Sequence, residues 1–273
     1  MKRITRGLLA VIIAGLLAGC AGLNQTTNTS SSPVLDRIIS TGELRVGVSG
    51  DMPPMNMLAG DKIIGMDADL AAMIAELMGV KLNLQKIDFS GLMPALESGG
   101  IDMIVSNMTM TPDRNLKAAF VGPYFTSGKA FLTKRSSIAQ ARGLPDINSP
   151  QYTFVALKDS TSESVIREDA PQAKLLRADT QDDAIQMVID GKADAMIADY
   201  PICVVAVFRY PDAGLLSLVA PITYEPIGIA VPKGDPLLVN WLDNVLDSLD
   251  KTGYLNSLMV KWFAHSTWLQ QMK

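Results

Sequence analysis

The sequence predicts an α/β protein of two lobes, each a mostly parallel sheet flanked by helices, the first interrupted by the second and completed by the C-terminal part. Three observations predict it. Short apolar runs alternate with helical patterns from residue 44 to 105. The alternation restarts after Phe120-Val121-Gly122-Pro123-Tyr124-Phe125. A late apolar run, Ile227 to Val231, precedes two further helical patterns. Strand–helix–strand order demands right-handed crossovers, which set neighbouring strands parallel.

Leu44 to Val48 alternates and reads as the first strand, ending in Ser49-Gly50-Asp51-Met52-Pro53-Pro54-Met55, a loop whose prolines exclude helix and central strand. Asp67 to Met78 carries an apolar stripe (Leu70, Met73, Ile74, Leu77) closed by Gly79. Val80 to Leu84 is the second strand, and Ser90 is expected to cap a helix reaching about Ser98. Ile101 to Val105 is the third. In the second lobe, Lys129 to Lys134 and Tyr152 to Leu157 read as strands, and Ser160-Thr161-Ser162-Glu163 has the spacing of a capping box. Lys174 to Leu176 and Asp194 to Ala198 are strands around a helix from Thr180 to Ile189. Helices from Pro236 to Lys251 and from Tyr254 to Ala264 complete the chain.

Polar residues that suit ligand binding gather at strand ends, where open α/β sheets hold their ligands. The third strand feeds Ser106-Asn107-Met108-Thr109-Met110-Thr111-Pro112-Asp113-Arg114. A guanidinium offers a planar fork suited to a carboxylate, although Arg114 also reads as a surface residue after a turn. Asp199 ends a second-lobe strand and, taken alone, reads first as the N-cap of a segment from Tyr200. The helix start at Ser160-Thr161 adds N–H groups and a positive dipole end. An α-amino acid, with a carboxylate and an ammonium a few ångströms apart, satisfies all three features.

Met1 to Arg6 is basic, Leu8 to Ala18 apolar, and Leu17-Ala18-Gly19-Cys20 resembles a bacterial lipobox, which implies removal of residues 1–19 and lipidation of Cys20. Residues 20–33 read as a flexible tether. Cleavage removes Lys2, Arg3 and Arg6 and takes the net charge from −4 to −7, which argues against nucleic acid as a partner. With Cys20 lipidated, Cys203 has no partner for an intrachain disulfide. The single His (His265) and the lack of a Cys pair leave no zinc spacing, and no phosphate-binding glycine loop or Gly-x-Ser-x-Gly elbow occurs. No metal or cofactor is expected. The 15 Met residues are read as core filling.

The sequence resembles the amino-acid-binding periplasmic proteins of ABC importers (bacterial extracellular solute-binding proteins, family 3) over nearly all of residues 36–264. Gly65-Met66-Asp67-Ala68-Asp69-Leu70 resembles the family's Gly-Phe-Asp-x-Asp-Leu signature, and Thr109-x-Thr111-Pro112-x-Arg114 its carboxylate loop. Pro123-Tyr124-Phe125, Lys233-Gly234-Asp235, Gly253-Tyr254 and Lys261-Trp262-Phe263 follow in order. The resemblance implies the two-lobe periplasmic-binding-protein fold (type II), with lobe 1 from 34–125 and 226–273, lobe 2 from 126–225, and hinge strands near Tyr124 to Gly128 and Thr223 to Pro226. It assigns the ligand carboxylate to Arg114, supported by Thr109 and the Thr161 N–H, and the ammonium to Asp199 with groups near Ser106 and Asn107. Phe89 falls where an aromatic meets the ligand. Met52 replaces a Tyr or Phe, Ser49 stands where some binders of basic amino acids have Asp, and Asp159 replaces a Gly. A neutral polar or apolar amino acid is therefore the expected ligand.

The resemblance further implies a monomer that closes on its amino acid and delivers it to an ABC permease, held by the Cys20 lipid at the periplasmic side of a bacterial membrane or the outer face of a Gram-positive cell membrane. Two rivals share the fold. One is an enzyme resembling cyclohexadienyl or arogenate dehydratases, for which Asp51, Asp159 and Glu225 are the cleft acids. The other is an extracellular sensor, disfavoured because no membrane-spanning pattern follows the lobes.

Overall fold

The computed structural model describes residues 32–218 and 220–272. Residues 1–19 and Cys20 lie outside them. The expected tether boundary at residue 33 falls on the first residue of helix α1 (Pro33–Thr41), which the sequence reading missed.

Lobe 1 is built on a five-stranded sheet. Strand β1 (Glu43–Val48) runs parallel to β5 (Lys81–Lys86) and β6 (Met103–Ile104), and β13 (Glu225–Pro232) lies antiparallel between β6 and β7 (Ala118–Ser127). Lobe 2 repeats the plan. There β9 (Thr153–Leu157) is parallel to β10 (Lys174–Ala178) and β11 (Ala195–Asp199), while β8 (Lys129–Thr133) is antiparallel to β11 and to β12 (Leu216–Ser217). Pairing is parallel where helices cross over and antiparallel where the chain passes between lobes. A small sheet of β2 (Asp51–Met52), β3 (Asn56–Ala59) and β4 (Lys62–Ile64) occupies the stretch that begins in the expected Pro-rich loop. Its strands are too short to carry a period.

Helix α2 (Met66–Met78) ends at Gly79 in the left-handed conformation, as expected, but its buried face is Met66, Leu70, Ala71, Ile74 and Ala75, and Leu77 is exposed. Helix α3 (Phe89–Glu97) starts one residue before Ser90, so Asp88 rather than Ser90 holds the N-cap position. The single turns α4 (Pro112–Asn115) and α5 (Ser136–Ala139) precede α6 (Thr161–Asp169) and α7 (Gln181–Ile189). Helix α8 (Tyr200–Arg209) was foreseen only as a segment after Asp199. Helix α9 (Pro236–Lys251) keeps the expected bounds, and α10 (Tyr254–Met259) passes into a wider turn to Ala264.

Two adjacent connections join the lobes. Strand β7 passes through Gly128 into β8, and the return enters β13, with Glu225 opposite Ser127 and Pro226 opposite Thr126. A Cβ on Gly128 would stand 2.1 Å from the Thr223 carbonyl oxygen, so only glycine fits where the hinge strands meet. One apolar core lies in lobe 1, around Val46, Leu70, Ile74 and Ile229. The other, around Phe131, Phe154 and Ile197, continues across the lobe contact to Met52 and Phe89. The lobes are packed closed. Met52, Met55, Met57, Met66, Met103 and Met196 are buried core residues, and Cys203 is buried and free.

Candidate functional site

The lobe 1 wall is the loop after β6. Asn107 is held at φ 47° by its N–H bond to Asp67 Oδ2 (3.0 Å), a strained position for a side-chain-bearing residue that Asn tolerates well. Asp67 is fully buried and also accepts from Tyr124 (2.7 Å) and Asn56 (2.7 Å). Burial pushes its carboxyl up to about 6, against the pull of these three donors. The loop rests on β13, where Met110 N–H donates to the Pro226 carbonyl at 2.8 Å. Thr111 caps α4 by accepting from the Arg114 N–H (3.2 Å), and this turn aims Arg114 at the cleft. The Arg114 guanidinium donates to the Thr109 carbonyl (2.9 Å) and, across the cleft, to the Asp159 carbonyl (3.3 Å), 5.6 Å from the Phe89 ring centroid. Burial lowers its pKa to about 10 against the pull of Glu225 and Asp199, so it stays charged at neutral pH.

The lobe 2 wall is the start of α6 and the end of β11. Ser160 caps α6 by accepting from the Glu163 N–H (3.3 Å). Glu163 reaches back to the Asp159 N–H (2.9 Å) rather than to Ser160, so the capping box closes one residue early. Asp159 adopts φ 58°, and its carboxylate turns away to Arg177 at 2.8 Å. That explains how a carboxylate is tolerated beside the anion site expected at the start of α6. Asp199 makes no capping bond to α8. Instead it accepts from Asn107 Nδ2 across the cleft and pairs with Lys129 Nζ at 2.6 Å.

Lys129 is the site residue the sequence reading missed. It is 2 % exposed, and its ammonium also lies 3.6 Å from Glu225, which accepts in turn from Thr161 Oγ1 (3.1 Å) and Thr223 Oγ1 (3.2 Å). The available signal was one charged residue, just after Gly128, opening a strand that continues Ala130, Phe131, Leu132 and Thr133.

Of the expected site residues, Met52, Phe89, Asn107, Thr109, Ser160, Thr161 and Asp199 line one cavity between the lobes, together with Lys129, Leu157 and Gln181. Arg114 borders it through Thr109 and Phe89. Ser106 does not line it; its hydroxyl accepts from the Ser49 N–H (2.9 Å) inside lobe 1. About 10 Å³ of the cavity is open, room for one water. A larger apolar groove, about 690 Å³, lies behind the hinge among Phe125, Phe208, Trp262 and Trp268. No Asp, Glu, Lys or Arg side chain lines it, so it lacks the fixed charges that would pair with a zwitterion. Among the described residues no group of three His, Cys, Asp or Glu side chains is placed to hold a metal, and no helix is long and apolar enough to cross a membrane.

The family model for bacterial extracellular solute-binding proteins, family 3, matches residues 44–265. A glutamine-binding protein of an ABC transporter from Bacillus subtilis is 28% identical over 271 residues, covering 96% of this chain and 97% of its own. The cyclohexadienyl dehydratase of Pseudomonas aeruginosa is 26% identical, covering 85% of this chain and 86% of its own. A crystal structure of a putative ABC-transporter binding component from Wolinella succinogenes, complexed with lysine, is 37% identical with a TM-score of 0.78, covering 84% of this chain and 99% of that one.

Proposed function

The chain belongs to the bacterial extracellular solute-binding proteins, family 3, and from that premise we propose that it captures an α-amino acid between its lobes and delivers it to the permease of an ABC transporter. The observation that carries this reading is one cavity lined by the start of α6 and the Asp199 carboxylate of lobe 2, with the Arg114 guanidinium held on the carbonyl of Thr109 in its lobe 1 wall. In this reading the ligand carboxylate takes Arg114, Thr109 and the N–H groups at the start of α6. Its ammonium takes Asp199 and Asn107, displacing the Lys129 ammonium towards Glu225. The protein works as a monomer, tethered by the Cys20 lipid outside the cytoplasm.

The test is calorimetry of the purified protein against the common amino acids. Arg114→Ala and Asp199→Ala are each expected to weaken binding at least about tenfold, because each leaves a buried charge on the ligand unpaired. Near-wild-type affinity in either variant would sink the assignment. A bound amino acid at a hundred times its dissociation constant should raise stability by about 2.7 kcal/mol.

A second reading, a dehydratase, draws on the buried Glu225 beside the cavity, an acid with a hydroxyl on each oxygen. Incubation with prephenate or arogenate separates the two: a dehydrated product that vanishes in Glu225→Gln supports the enzyme, and an unchanged substrate supports the transport protein.

A further inference from the structure

Two buried carboxylates beside the hinge share one cation. Lys129 Nζ pairs with Asp199 Oδ1 at 2.6 Å and lies 3.6 Å from Glu225 Oε2. The hinge itself sets this arrangement. Lys129 opens β8 directly after Gly128, where its N–H donates to Thr223 Oγ1 at 2.8 Å, and that hydroxyl donates to Glu225 Oε1 at 3.2 Å. Thr161 Oγ1, at the start of α6, donates to Glu225 Oε2 at 3.1 Å. Lys129, Thr161 and Asp199 line the cavity, and Glu225 is reached through the first two.

One ammonium against two carboxylates leaves the charge balance short of a single cation, and buried charges without a counter-charge are costly. The remaining carboxylates near the cavity have partners of their own. The Asp159 side chain points to Arg177 at 2.8 Å, and Asp67 accepts from Asn56, Asn107 and Tyr124 inside lobe 1. Asp51 does not line the cavity, and the Gln181 N–H at 3.0 Å, the Ser49 hydroxyl and the Lys86 charge already act on it. Apart from Lys129 and Asp199, the cavity wall is made of apolar Met52, Phe89 and Leu157 and of uncharged hydroxyl and amide residues.

Resting on the amino-acid reading above, we infer that Lys129 sets the specificity of the site: by holding Glu225 it leaves Asp199 as the one carboxylate for the ligand, which is therefore a zwitterion with an uncharged side chain. The α-ammonium takes Asp199, Lys129 turns to Glu225, and every buried charge then has one partner. A second ammonium or guanidinium on the ligand finds no carboxylate of its own once the cleft closes, so its burial is unfavourable. The neutral ligand expected from Ser49 thereby acquires a different cause, since the Ser49 hydroxyl donates to Asn56 Oδ1 at 2.9 Å inside lobe 1.

The experiment is calorimetry of the full chain with norleucine and lysine, which share a carbon stem and differ by the terminal nitrogen. Norleucine is expected to bind the wild type at least about tenfold more tightly than lysine. Lys129→Met frees Glu225 and should raise the affinity for lysine relative to norleucine at least about tenfold. Lys129→Met combined with Glu225→Gln removes one charge of each sign and should return that ratio to the wild-type value. Glu225→Gln alone confines Lys129 to Asp199 and should weaken norleucine at least about tenfold, a readout that stands even where Lys129→Met does not fold. Lysine binding the wild type as tightly as norleucine, a ratio that Lys129→Met leaves unmoved, a gain that survives in the double variant, or unchanged norleucine affinity in Glu225→Gln would each overturn the role of Lys129 while leaving the amino-acid reading intact. Failure of every α-amino acid to bind the wild type would overturn both.

Discussion

Lys129 holds two buried carboxylates, Asp199 at 2.6 Å and Glu225 at 3.6 Å. Removing one partner of a buried charge cluster costs about 3–5 kcal/mol, because the remaining charges lose their compensation. Lys129→Met is therefore expected to melt well below the wild type. A ligand ammonium would restore the missing charge, so added amino acid should raise the melting temperature of this variant more than that of the wild type. Equal shifts in the two proteins would show that Lys129 and the ligand do not share Asp199. Asp67 gives a pH-dependent counterpart. Its folded-state pKa is raised from 3.8 to about 6, so the folded protein holds that proton more tightly than the unfolded chain. The associated stability is present below about pH 4 and lost as pH rises through about 6, and by linkage it amounts to at most about 3 kcal/mol. Urea melts at pH 4 and pH 7 check this: the wild type should lose stability over that interval relative to Asp67→Asn, and parallel behaviour would refute the shift.

The hinge is the element on which closure turns. Gly128 is required there by its contact with the Thr223 carbonyl, which an added methyl would approach to 2.1 Å. Gly128→Ala must push the two hinge strands apart, with an expected cost of about 1–3 kcal/mol and a weaker affinity for any ligand that needs both lobes. A melting temperature and affinity equal to wild type would show that the strands yield freely. At this scale the sequence was legible wherever one element carried its own stop and start signals. Helix α9 was readable end to end because Asp235 accepts from the Leu238 N–H and Leu238, Leu242, Leu246 and Leu249 repeat on one face. The Arg114 loop and the Ser160 cap were legible for the same local reason. What escaped was fixed by distant partners. Strands β2 to β4 pair only with one another and are too short for a pattern. Leu77 matched the helical period but is exposed. Lys129 takes its role from Asp199 and Glu225, which lie 70 and 96 positions further along the chain.

The whole molecule is a two-lobe clamp seen closed. Among the described residues, polar contacts that cross the cleft include Asn107 to Asp199, Arg114 to the Asp159 carbonyl, Thr109 to Thr161, and Asp51 to the Gln181 N–H. Asn107, Asp199, Thr109, Thr161 and Gln181 among them line the cavity, so its wall helps to hold the lobes together. With about 10 Å³ open between them, an amino acid enters only by parting these contacts. Entry therefore requires an open form, and a ligand favours closure only by the contacts it adds in the closed one. Small-angle scattering reads that equilibrium directly. The radius of gyration without amino acid is expected to exceed the value calculated from this closed form, and to fall to it at saturation. Cutting cross-lobe contacts should move the ligand-free protein further open, so Asn107→Ala combined with Asp51→Ala is expected to enlarge the radius again. If neither ligand nor this double variant changed the scattering, the lobes would be rigidly joined, and capture would have to proceed by some route other than bending about Gly128.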